Sequence, residues 1–172
     1  MKHRRKLILL LVAAVTLVAT GVAAASWWKA YTDGLPATAR YHDVDRAIAD
    51  GYSLRLPDVS GNTCIEEPGE GAMGVHMVNT ALLDSTIDSK QPEVLVYEPK
   101  SRDRLRLVAV EYVVFESAWT GSEPPELFGT EFDYVPEGNR YGLPAFYALH
   151  SWIWKHNPSG LLYAWNPRVD CH

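Results

Sequence analysis

Familiar catalytic signatures are missing from this chain. It has no glycine-rich phosphate loop, no HExxH pair, no Gly-x-Ser-x-Gly elbow and no EF-hand loop, which weighs against nucleotide hydrolysis and serine-hydrolase chemistry. Its only cysteines, Cys64 and Cys171, form neither a CxxC nor any zinc-finger spacing. Beyond residue 6 no run of Lys or Arg with interleaved aromatics occurs. A binder of phosphate backbones needs such a patch for counterion release, so nucleic acid is not an expected partner. Internal repeats and low-complexity tracts are absent as well.

What is present is an ordinary globular composition, 47% hydrophobic, 22% charged and 11% aromatic in 172 residues. A core of that size buries roughly 70% of the surface its unfolded chain exposes, so neither a metal nor a disulfide is needed merely to hold it together. Lys2, Arg4, Arg5 and Lys6 make a basic start, and Leu7 to Ala25 then run without charge or proline to Ala23-Ala24-Ala25. A basic segment, an apolar segment and small residues before the cut form a secretory signal, placed at 1–25 with cleavage after Ala25. The alternative is an uncleaved anchor with Trp27, Trp28 and Tyr31 at the interface, and that is the one route by which the chain would meet a membrane. Both readings put the protein outside the cytoplasm, secreted or in the cell envelope. Removing the four basic residues of the leader leaves 12 Lys and Arg against 21 Asp and Glu, a formal charge of −9. Anionic lipid surfaces and nucleic acid are both disfavoured by that sign.

In an exported chain Cys64 and Cys171 are expected to pair. Closing a loop of about 100 residues would stabilise the fold by up to about 4.7 kcal/mol in the chain-entropy picture, and it would remove both thiols from nucleophilic chemistry.

Along the chain, 26–35 reads as a linker and 36–172 as a single globular domain. Pro36 suits a first helical turn, and Ala37, Tyr41, Val44 and Ile48 recur at helical spacing up to Asp50, with Gly51 as the terminating glycine. Residues 54–71 read as a loop containing Cys64. The period then becomes 2: Met73 to Val78 is a strand, Asn79 caps a brief turn, and Val94 to Glu98 and Leu105 to Phe115 form a hairpin. Residues 116–144, rich in Pro and Gly, read as a long loop over the mouth of the sheet. Phe146 to Trp154 reads as a strand by its aromatic content, although a helix also fits its spacing, and Leu161 to Trp165 as an edge strand.

The candidate site rests on single residues in improbable settings. Glu111 lies inside Leu107-Val108-Ala109-Val110-Glu111-Tyr112-Val113-Val114, and burying an unpaired carboxylate costs several kcal/mol or forces its pKa upward. Alternation puts it on one face with Leu107, Ala109, Val113 and Phe115. His76 sits among Gly71, Ala72 and Gly74, small residues that would let another group approach the backbone. His150 precedes Trp152 by two residues, and His42 lies on the helix. Each histidine alone reads as readily as a satisfied core residue. Together, His42, His76, His150 and Glu111 make a set of imidazoles and a carboxylate that suits a divalent transition metal, Zn, Mn, Fe or Cu, with Glu111 as fourth ligand or as general base for metal-bound water. His156 and His172 read as solvated. Trp152, Trp154, Trp165, Tyr147 and Tyr163 form either an aromatic core or the lining of an apolar pocket.

The stretches Tyr41-His42-Asp43-Val44-Asp45-Arg46-Ala47, Gly74-Val75-His76, Val110-Glu111-Tyr112-Val113-Val114 and Leu149 to Gly160, with Trp165-Asn166-Pro167, resemble an uncharacterised family of bacterial exported proteins over most of residues 37–171. The resemblance implies a secreted bacterial origin and carries no chemistry. The expected fold class is α+β, one N-terminal helix packed on a curved antiparallel sheet, as a half-open cone or a small barrel. The expected function is an exported protein with a buried His/Glu metal site, in its catalytic version a small metalloenzyme. The alternatives are a non-catalytic module that takes an apolar small molecule in an aromatic-lined cavity and an envelope or interaction protein with no small-molecule site.

Overall fold

A computed structural model describes residues 26–101 and 104–172; the expected signal segment at 1–25 lies outside them. The fold is α+β. Antiparallel strands β1 (Leu54–Arg55), β2 (Cys64–Glu67), β3 (Gly71–Val78), β4 (Val94–Ser101), β5 (Arg104–Phe115), β8 (Asp133–Val135) and β9 (Phe146–Ser151) make a seven-stranded sheet. A separate ribbon joins β6 (Glu126–Leu127) to β7 (Thr130–Glu131). The order across the sheet is β1-β3-β4-β5-β9-β8, with β2 pairing the other half of β3's edge. The sheet does not close into a barrel. No helix among the described residues is long and apolar enough to cross a membrane.

Residues 26–35, read from sequence as a linker, are helical. An α-helix, α1, covers 26–38, a 3-10 turn covers Ala39–His42, and α2 spans Val44–Ala49. The reason the periodicity hid α1 is its buried stripe: Ala30, Asp33, Gly34 and Thr38 recur at helical spacing but are small or polar. Asp33 is held by Lys29 one turn earlier and by the Ser89 hydroxyl at 2.6 Å, so the buried carboxylate is paid for. The expected single helix from Pro36 to Asp50 is broken at Asp43, whose backbone turns extended and whose side chain accepts from the Asp45 and Arg46 amides, capping α2.

Helices cover one face of the sheet. Tyr41 and Ala47 pack there with Val75, Met77, Leu95, Tyr97, Leu107, Val110, Tyr112 and Leu149. Tyr97 Oη donates to the Tyr41 carbonyl at 2.7 Å and Tyr112 Oη to that of Ser89 at 2.8 Å, so the large rings bury their hydroxyls without loss. The opposite face gathers Val78, Val94, Val96, Ala109 and Trp152. A bulge sets this division. Val96 pairs Ala109 while Tyr97 pairs Leu107, leaving Val108 as the extra residue. Leu107 therefore belongs to the helix side, and not to the face of Glu111 as strict alternation predicts.

Residues 54–71 are less irregular than expected, since they hold β1 and β2. Gly74, at φ +108, sits beside the shift in the β2 register, and a β-carbon there would lie 2.5 Å from the Tyr97 carbonyl oxygen. The group that approaches Gly71 is the backbone of Asn166, which also bridges Ala72. Cys64 and Cys171 are bonded, as expected.

Segment 116–144 is not one loose loop. Phe128 (φ 56) and Gly129 (φ 75) make the tight turn between β6 and β7, and β8 adds an edge to β9. Its last part, around Tyr141 and Leu143, borders an apolar cavity on the sheet. The expected strand at 161–165 does not form; Leu161 instead accepts from the Trp152 amide at 2.9 Å.

Candidate metal centre

His76 comes from β3, Glu111 from β5 and His150 from β9. Glu111 and His150 stand directly opposite in the β5–β9 register, and Val94 faces Glu111 from β4. His76 pairs Val96, so it reaches Glu111 across β4, where the side chains on this face are valines that leave room for the ring. His76 Nε2 lies 3.5 Å from Glu111 Oε2 and His150 Nδ1 3.7 Å from Glu111 Oε1. The two imidazole rings are 5.7 Å apart and nearly perpendicular. One donor atom from each of the three residues fits within 4.8 Å, and all three residues are buried.

Burial sets their protonation. It pushes Glu111 up to about 8, with a smaller push from Glu93. It brings His76 down to about 4, against a small opposing effect of the Gly74 backbone, and it holds His150 well below its ordinary value, helped by His76. At neutral pH these are two neutral imidazoles and a carboxylic acid, and no ion pair. Separations of 3.5 and 3.7 Å are too long for strong hydrogen bonds. Both nitrogens of His76 and Nε2 of His150 lack a hydrogen bond of good geometry among the described residues, the Gly74 backbone being the nearest approach to one at His76. Buried polar atoms left so cost about 1–3 kcal/mol each, and folded proteins rarely keep them without a use.

The donor set fits a metal ion. Bonds of 2.0–2.1 Å at tetrahedral angles place ligand atoms about 3.3 to 3.4 Å apart; one donor atom from each of the three residues lies within 4.8 Å of the others, so the group would draw together on an ion. Neutral imidazole is the ligating form, and a dication bound here would displace the Glu111 proton by giving the carboxylate the counter-charge that burial denies it. The group His76, Glu111 and His150 could hold a metal ion.

His42 is not part of it. The 3-10 turn lies on the helix side of the sheet, and the His42 ring packs edge-on to Trp154 with centroids 4.4 Å apart. Burial and the nearby Arg106 lower its pKa. The expectation of a fourth ligand assumed a helix lying over the site, whereas Tyr41 and Tyr97 fix that helix to the other face. His156 and His172 are exposed, as expected.

An apolar cavity of about 80 Å³ opens over the site, bounded by His76 and Glu111 on its floor and by Leu54, Leu56, Val113, Phe115, Leu143 and Phe146 among its walls. None of the expected tryptophans lines it. Trp152 is buried, its indole N–H donating to the Tyr163 carbonyl at 2.6 Å, and its ring stacks on His150 at the back of the site. Trp154 donates to the Thr38 hydroxyl on the helix side.

Two residues were not singled out by sequence. Tyr141 sets its ring 6.1 Å from that of His76 and its hydroxyl near the Met73 sulfur. Its position follows from Asn139, which accepts from the Tyr141 and Leu143 amides and donates to the Pro136 and Leu143 carbonyls. The second is Glu93, a buried acid pushed up to about 8 by burial, which accepts from the Val113 amide at 2.9 Å. Its one sequence signal is an acid between Pro92 and a continuous apolar strand.

No family model matches the chain, and no curated protein or solved structure matches it either.

Proposed function

We propose that this is an exported metal-site protein in which His76, Glu111 and His150 bind a divalent transition metal, Zn, Mn, Fe or Cu, with at least one coordination position free. The observation that carries this reading is the convergence of three buried donor groups from three strands, one donor atom of each within 4.8 Å of the others. Three protein ligands with an open position are the catalytic pattern, in contrast to the closed four-ligand set of structural zinc, which favours a small metalloenzyme over a metal used for stability. Glu111 is then a ligand. The Cys64–Cys171 bond is consistent with an extracytoplasmic setting.

The test is metal content. Mature protein, from Ser26 onward, loaded with zinc or cobalt and then dialysed, should hold close to one ion per chain, and His76→Ala or His150→Ala should abolish it. Retention of no ion by a folded wild type would end the proposal. A second reading, in which the cavity takes an apolar molecule without any metal, is favoured by the cavity's lining and predicts that outcome.

A further inference from the structure

We infer that the ligand of this site is a short-chain monocarboxylate, bound head-down with its carboxylate on the metal and its alkyl chain in the apolar cavity. The inference rests on the metal reading and concerns what the open position takes. The orientation follows from which groups face the cavity: His76 and Glu111 form part of its floor, while His150 stands behind them against Trp152 and does not line it. The free side of an ion held by the three therefore looks into the cavity.

Charge selects the head group. A dication with one carboxylate and two neutral imidazoles leaves a net +1 in apolar surroundings, where an unbalanced charge is expensive. A monoanion cancels it; a neutral alcohol or amine does not. The walls select the tail. Apart from the two ligands, only Tyr141 brings a polar atom to the lining, and its hydroxyl is directed to the Met73 sulfur, so a second polar group on the ligand would find no partner. Size limits the length. A cavity of about 80 Å³ is roughly half the volume that admits benzene in an engineered core, which suits a tail of about three carbons.

The experiment uses the cobalt(II)-loaded mature protein, whose visible absorption reports the metal's surroundings, titrated with formate, acetate, propanoate, butanoate and hexanoate. Affinity should rise about fourfold per methylene as each leaves water, up to butanoate, and then level. Leu83→Trp, which narrows the cavity away from the ligands, should keep the bound cobalt but remove the dependence on chain length. Leu143→Ala, which widens it, should move the plateau to longer acids. Acids that bind the cobalt protein with equal affinity across the series, or that give no spectral response, overturn the carboxylate and leave the metal site standing. Absence of bound cobalt from folded protein overturns both. If Leu83→Trp fails to fold, the shift expected for Leu143→Ala decides the matter: an unmoved plateau rejects the cavity as the tail's site.

Discussion

Glu111 and His150 occupy directly opposed positions on neighbouring antiparallel strands, with the imidazole Nδ1 3.7 Å from the carboxyl oxygen. Opposed side chains on one face of a sheet are held at nearly fixed separation by the backbone ladder. Two of the three donors are thus positioned by strand pairing alone, and only His76 must lean across an intervening strand.

Glu111→Gln replaces a buried neutral acid by a neutral isostere, so the metal-free protein should change in stability by no more than about 0.5 kcal/mol. Its metal affinity should fall by at least about 100-fold, since even groups that only support a ligand cost 10–100-fold. His42→Ala should leave affinity unchanged. Competition with a chromophoric chelator measures all three proteins.

The contribution of Glu111 and Glu93 to the metal-free protein should be full below pH 4.5 and lost as the pH rises from 4.5 to about 8, because each is raised to about 8 by burial. His76 is lowered to about 4 and acts oppositely, its contribution being lost as the pH falls from 6.5 towards 4. The two trends oppose one another between 4.5 and 6.5, and above 6.5 only the loss is left. Urea melts should therefore show falling stability from pH 6.5 to 8, and Glu111→Gln should make that fall shallower and the gain between 4.5 and 6.5 steeper.

Gly74→Ala should destabilise by about 2 kcal/mol or more, through a positive φ and through a β-carbon 2.5 Å from the Tyr97 carbonyl oxygen. Because Gly74 lies two residues from His76, a weakened cobalt spectrum should accompany the lower melting temperature. An alanine variant with unchanged stability would show that the strands can separate freely there.

Asn139→Ala removes four hydrogen bonds from the turn that carries Tyr141 and Leu143. The expected cost is about 1–2 kcal/mol, with faster amide hydrogen exchange confined to residues 137–143. Loss of exchange protection in β5 would point to a wider role.

Reduction of the Cys64–Cys171 bond should lower stability by about 2–5 kcal/mol, measured as a shift in the urea midpoint with and without reductant.

Much of the sheet was legible because β3, β4 and β5 carry unbroken apolar runs bounded by Pro, Gly or charge. Glu111 announced itself because an acid in such a run has few places to go. His76 and His150 were visible only as members of a set, since a histidine in a strand is as readily a core residue. Which face each would take could not be read, because it depends on pairing between strands far apart in sequence and on which layer the helices choose. His42 was misplaced for that reason. Helix α1 escaped because its buried stripe is Ala, Asp, Gly and Thr, a pattern suited to close approach and invisible to a search for hydrophobic spacing.

The extra residue at Val108 lets the two halves of β5 keep opposite faces although an odd residue stands between them. Deleting Val108 would remove the bulge and leave Leu107 in the helix layer and Glu111 on the far side by plain alternation. Deleting a residue between Ala109 and Glu111 is a different matter, because nothing extra exists there: the strand beyond would turn over by half a pleat, and either Leu107 leaves the helix layer or Glu111 enters it. One-residue changes of length just beyond the bulge, more than substitutions, are what the site cannot absorb.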